Sequence, residues 1–124
     1  MCVPLADATI KLVASAGVHY KNEPPFEHIN DLTYRLLPQQ ADPKLLRPSH
    51  PSSIRQPGLE DINRLPLPAD RGAGPQGFVS APTANHVSMQ GAIKRLITLA
   101  SDPAPAMAQT ALDERADAVL LIPF

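Results

Sequence analysis

Fifteen prolines in 124 residues set the first limit on what this chain can become. Each fixes φ at about −65° and removes a backbone donor, so proline ends helices and is kept out of central strand positions. Most of them fall between Pro24 and Pro82, in the stretches EPPFEH, LLPQQADP, RPSHPSS, LPLPADR and GAGPQG. Regular structure there can be only brief, with room for one short helix beginning near Gly58 at LEDINRL. A loop region this long inside a compact domain is either functional or partly disordered. Its content of Leu, Ile and His is too high for a plain linker.

The regular elements stand on either side. Residues 8–16, ATIKLVASA, carry Ile10, Leu12 and Val13 in a nearly continuous apolar run closed by Gly17. That is the pattern of a strand buried on both faces, as in a parallel sheet. In the last third, SMQGAIKRLITLA over 88–100 places Met89, Ala92, Ile93, Leu96, Ile97 and Ala100 at helical spacing, with Lys94 and Arg95 opposite. The spacing predicts an amphipathic helix. SDP at 101–103 predicts a stop and a new N-cap, and APAMAQTALDERA then predicts a second helix through Met107, Ala111 and Leu112. DAVLLIP reads as a further strand. Strand, excursion, helix pair and strand predict an α/β fold: a single, incomplete parallel-sheet domain over 1–124, with a loop-rich insertion over 18–87.

Eleven basic and twelve acidic residues, with no run of one sign, leave no electrostatic footprint for nucleic acid or an anionic membrane. No stretch approaches the roughly 18 apolar residues of a membrane span, and no secretory signal opens the chain. A cytoplasmic location is the expectation. The single cysteine, Cys2, can build neither an internal disulfide nor a CxxC metal site. His19, His28, His50 and His86 match no metal-ligand spacing, and no metal is expected.

All four histidines fall outside the predicted regular elements. In open parallel sheets ligands bind beyond the carboxyl ends of the strands, so the residues just after the first strand are the informative ones. There Gly17 makes a turn, and His19 stands two positions on as an acid, base or ligand near neutral pH, or as a loop histidine bonded to backbone. His86 in ANHVSMQG stands just before the predicted helix, whose first N–H groups can hold a carboxylate. The competing reading makes Asn85 or Ser88 the N-cap and His86 a bystander. Tyr34 and Arg35 in DLTYRLLP pair an aromatic with a guanidinium able to clasp a carboxylate, or simply pack at the surface. Asp61 and Asn63 in EDIN either close a turn or touch a ligand. GAGPQG lacks the strand-to-helix setting and the lysine of a phosphate loop and reads as a flexible connector.

Taken in order and spacing, LVASAGVHYKNEPPF, DLTYRLLP, EDINRLPLPADR, ANHVSMQG and ADAVLLIPF resemble the N-terminal part of the selenoprotein B family of glycine, sarcosine, betaine and D-proline reductases. The resemblance implies an oxidoreductase subunit for reductive C–N bond cleavage of a small amino-acid or imino-acid substrate. In that family the strand equivalent to Ala118–Pro123 leads, one residue later, into a selenocysteine, two residues and a cysteine. No catalytic residue is then expected within this chain. The resemblance implies a substrate pocket drawn from His19, Tyr34, Arg35, Asn63, His86 and Ser88. It also implies a pyruvoyl group on a partner subunit, other reductase subunits, and a thioredoxin-like or other dithiol reductant. Because UGA encodes selenocysteine and is otherwise read as stop, the expectation is a fragment ending at the recoding site and inactive alone. The stretch SHPSSIRQPG departs from the more acidic, histidine-bearing sequence of relatives and leaves the substrate open. The alternative is a non-enzymatic interaction or regulatory domain that uses the same half-sheet to bind a partner.

Overall fold

The apolar run after Asp7 forms β1 (Thr9–Ala14), the central strand of a mixed sheet, in a computed structural model that describes residues 3–4, 7–49 and 81–123. Three short strands follow in the proline-rich part: β2 (Val18–Tyr20), β3 (Tyr34–Pro38) and β4 (Leu46–Pro48). A single 3-10 turn at Pro43–Leu45 precedes β4, opened by Asp42, whose carboxylate accepts from the Lys44 amide at 2.9 Å. Beyond the undescribed segment come β5 (Ala81–Pro82), β6 (Asn85–Met89), helix α1 (Leu96–Ser101), helix α2 (Pro103–Asp113) and β7 (Ala118–Ile122).

One edge of β1 is lined by β7, parallel from Ile10↔Ala118 to Ala14↔Ile122. The other edge carries β5 and then β6, also parallel, through Ile10↔Pro82 and Val13↔Val87. Between those two pairs the β5–β6 side has extra residues, so the ladder is interrupted and side chains fill the gap. β3 closes antiparallel on β6, pairing Tyr34↔Met89, Arg35↔Ser88 and Leu37↔His86. The result is an incomplete α/β sheet with its parallel strands at the centre.

Because successive residues point to opposite faces, the registers sort the side chains into two layers. Ala14 and Leu37 lie on one face and pack with Ala16, Val18, Ala41 and Leu46, under the antiparallel β2–β4 pair. Val13 and Met89 lie on the other face, toward Met107 and Ala111 of α2. Gly17 adopts φ 63°, the left-handed conformation the turn from β1 to β2 requires.

The helix predicted over 88–100 forms only in its last part, and its first residues belong to a strand. Asn85–Met89 are β6, Gln90 bridges to Ala16, and helix begins only at Leu96. Pairing on both sides, with β1 and β3, overrides a helical spacing that ran through Gly91. That glycine is itself pressed on the sheet: a Cβ there would stand 3.0 Å from the Ser15 carbonyl oxygen. His86 therefore stands in a strand and not before a helix, neither Asn85 nor Ser88 caps a helix, and His19 is in β2 rather than a loop. The second helix forms as α2 with Met107 and Ala111 buried, but Leu112 is exposed and Asp102 makes no side-chain cap bond. The strand expected at DAVLLIP is β7, though its side chains are mostly exposed. Cys2, His50, the helix near Gly58, Asp61, Asn63 and GAGPQG lie outside the described residues.

Candidate functional site

The turn after β1 is pinned from two sides. Gly17 donates its N–H to the Met89 carbonyl at 2.8 Å, and its own carbonyl accepts from the Ser49 amide at 3.0 Å. This places His19 beside Ser49, with Nδ1 3.0 Å from Ser49 Oγ and 3.3 Å from the Gly17 carbonyl. A carbonyl can only accept, so the tautomer that satisfies it carries its proton on Nδ1 and keeps a lone pair on Nε2.

Phe26 ties His19 to Arg35. Its amide donates to Ser49 Oγ at 3.1 Å, and its ring meets His19 edge-on with centroids 6.3 Å apart. The Arg35 guanidinium sits over the same ring, 3.9 Å from the centroid, in cation–π contact. Arg35 Nη2 donates to the Pro24 carbonyl at 2.8 Å, and Nε lies 3.5 Å from Glu23, whose carboxylate also accepts from the Tyr20 amide. Nη1 is buried and has no partner among the described residues.

On β6, Ser88 stands directly opposite Arg35, and His86 occupies the next position on that face, opposite Leu37. Ser88 Oγ and His86 Nε2 are likewise buried without a partner among the described residues. His86 Nδ1 accepts from the Leu12 amide at 3.3 Å, where the β1 ladder is interrupted, so the ring proton belongs on Nε2. Desolvation, reinforced by the Lys11 charge and opposed by Glu114, lowers the imidazole pKa to about 4. The ring is neutral at physiological pH. Arg35 Nη1, Ser88 Oγ and His86 Nε2 are thus three buried groups able to donate, without a partner among the described residues, on side chains that share one face of the sheet. Leaving such a group unpaired costs about 1–3 kcal/mol. A guanidinium N–H, a ring N–H and a hydroxyl can all donate to a carboxylate.

Across the sheet a second polar group is fully satisfied. Lys11, wholly buried, donates to the Asn85 carbonyl at 3.0 Å and pairs with Glu114 at 3.2 Å. Asn85 donates to Glu114 from its backbone at 3.2 Å and from Nδ2 at 2.9 Å. Partial desolvation works against the carboxylate, but the bonds from Asn85 and the Lys11 charge prevail and hold the Glu114 pKa below its ordinary value. The pair joins β1, β6 and the end of α2.

Of the residues singled out from sequence, His19 and Arg35 meet through Phe26, and Ser88 and His86 lie along the same face as Arg35. Tyr34 pairs with Met89 one position on, so it belongs to the opposite face. Asn63 lies outside the described residues. Sequence reasoning passed over Phe26, Ser49 and Lys11. The one available signal was Lys11 itself, a lone cation inside an apolar strand that must snorkel or find a buried partner. Among the described residues no group of three or more His, Cys, Asp or Glu is placed to hold a metal, and no helix is long and apolar enough to cross a membrane.

No family model matches the chain, and no solved structure matches it. Among curated proteins it is similar to the D-proline reductase subunit gamma of Acetoanaerobium sticklandii, 29% identical over 118 residues. The match covers 94% of this chain and 49% of that protein, so the chain spans about half the length of the curated relative it matches. The chain is distantly related to a subunit of a D-proline reductase.

Proposed function

We propose that this chain forms the substrate-binding part of a reductase subunit that cleaves a C–N bond of a small amino or imino acid, of the glycine, sarcosine, betaine or D-proline type. The observation that carries the reading is the 118-residue likeness to a D-proline reductase subunit. The three orphaned donors on the β3–β6 face support it, because each of these substrates carries a carboxylate. Arg35, Ser88 and His86 bind and orient that group, and Phe26 holds the guanidinium in place. His19, fixed through Nδ1 by Ser49, holds or releases a proton at Nε2.

The redox atom in this reading belongs to a selenocysteine immediately beyond β7, as in the selenoprotein B family. That residue, when present, supplies the nucleophile and reductant. The Ser15 amide donates to the Ile122 carbonyl at 3.1 Å, which puts the carboxyl end of β7 beside the turn leading to His19. A residue following β7 therefore begins at the sheet end that leads to the candidate site. Partner subunits, one of them bearing a pyruvoyl group, and a thioredoxin-like or other dithiol reductant complete the system, and the 124 residues alone bind substrate without turning it over. The test is the nucleotide sequence after the Phe124 codon. UGA followed, after two intervening codons, by a cysteine codon in an open frame is the expected result. TAA or TAG with no coding sequence beyond overturns the reading.

A further inference from the structure

The two edges of the sheet are built differently. β3 ends in Pro38 and carries Arg35, the devices that keep an edge from pairing. β7 reads AVLLI, with no charge and no proline in the strand. Val119, Leu120 and Leu121 are 46, 51 and 69% exposed, although they alternate between the two faces and the strand is parallel to β1. Strands of parallel sheets are covered on both faces, usually by crossover helices. β7 has the composition of such a strand, and among the described residues no strand pairs with its outer edge.

Beside it, on the face of α1 and α2, lies an apolar cleft of about 260 Å³. Val119 and Leu121 of β7 form one wall, and Leu99, Met107 and Ala108 form another. Edge and cleft share residues and make one continuous surface. It offers backbone pairing along the strand and an apolar seat next to it, the shape a strand and its crossover helix would fill.

We infer that this surface docks a polypeptide equivalent to the half of the D-proline reductase subunit gamma that this chain does not match, through a strand added in parallel to β7 and an apolar helix laid in the cleft. The relative's length selects this occupant: 94% of this chain corresponds to 49% of that protein, which leaves a half of the relative as the polypeptide to cover this surface. The reductase reading enters only in the choice of partner. The surface itself rests on β7 and the cleft.

The test is co-production of the 124-residue chain with the unmatched half of the Acetoanaerobium sticklandii subunit as a second polypeptide. A 1:1 complex by light scattering is expected, with amide-exchange protection rising in Ala118–Ile122. Leu121→Lys, at the most exposed large side chain of β7 and in the wall of the cleft, should weaken the complex by roughly tenfold or more. Leu45→Lys, also exposed but part of neither β7 nor the cleft, should leave it unchanged. Circular dichroism of both variants checks that the fold persists. A chain that forms its own dimer through Ala118–Ile122, or a complex indifferent to Leu121→Lys, overturns the inference. A complex that forms yet never reduces an amino or imino acid leaves the docking intact and sinks the reductase reading. An active full-length enzyme whose Ala118–Ile122 amides exchange freely does the reverse.

Discussion

Removing the anion of the Lys11–Glu114 pair should cost far more than removing the cation. Glu114→Gln leaves a wholly buried ammonium with neutral acceptors alone, the Asn85 carbonyl at 3.0 Å and the new amide oxygen, and removes its counter-charge. Stripping one partner from a buried pair costs about 3–5 kcal/mol, and because Glu114 is 20% exposed the lower end, about 3 kcal/mol, applies. Lys11→Met is a different perturbation. The Asn85 carbonyl keeps the Thr83 hydroxyl at 2.8 Å, and Glu114 keeps both bonds from Asn85 and its contact with water. Methionine fills the apolar surroundings of the lysine stem, next to Val13 and Met107, so the change should stay within about 1 kcal/mol. The double variant should then resemble Lys11→Met, giving a coupling energy of about 3 kcal/mol, the whole cost of the single Glu114→Gln change. Urea unfolding at pH 7 with a common m-value measures all three. If Lys11→Met costs as much as Glu114→Gln, the lysine is not held as a desolvated charge and the argument is wrong.

Acidification should weaken the fold through His86. Its folded pKa of about 4 lies below the ordinary 6.5, so between those values the unfolded chain binds a proton that the folded chain refuses. Stability is full above pH 6.5 and falls by up to roughly 3 kcal/mol toward pH 4, and His86→Gln should flatten that limb of a stability–pH curve. Gly91→Ala should cost about 1–3 kcal/mol in thermal or urea unfolding, because the new methyl meets the Ser15 carbonyl at 3.0 Å. Ser49→Ala should cost about 1–2 kcal/mol by leaving the Phe26 amide and His19 Nδ1 each one bond short, and nitrogen NMR of His19 should show its tautomer balance shift. An unchanged His19 spectrum would remove Ser49 from the positioning of that ring.

β1 and α2 were legible because their apolar spacing agrees with the layer they enter: Leu12 and Ala14 are buried on one face, Met107 and Ala111 on the other side of the sheet. β6 was not legible. Met89, Ala92, Ile93 and Leu96 satisfy a helical period, and only the long-range pairing of Asn85–Met89 with β1 and β3 decides against it. His19, Arg35, Ser88 and His86 could be chosen from residue chemistry and family likeness, but their common face arises from the β3–β6 register, which no local spacing encodes. Phe26 and Ser49 escaped notice for the same reason. Their roles come from contacts across the fold, such as the Phe26 amide to Ser49 Oγ, 23 positions away.

The neighbours of β1 impose an order on assembly. Both of its edges are filled from the last third of the chain, by β5 and β6 on one side and β7 on the other, and Thr9 bonds to Asp117 across 108 positions. During synthesis the first strand emerges as an unprotected hydrophobic segment, and it waits for nearly the whole polypeptide before either edge can close. Nascent chains with that geometry are clients for holding chaperones, and translation that stalls before β7 leaves a product whose central strand stays open to aggregation.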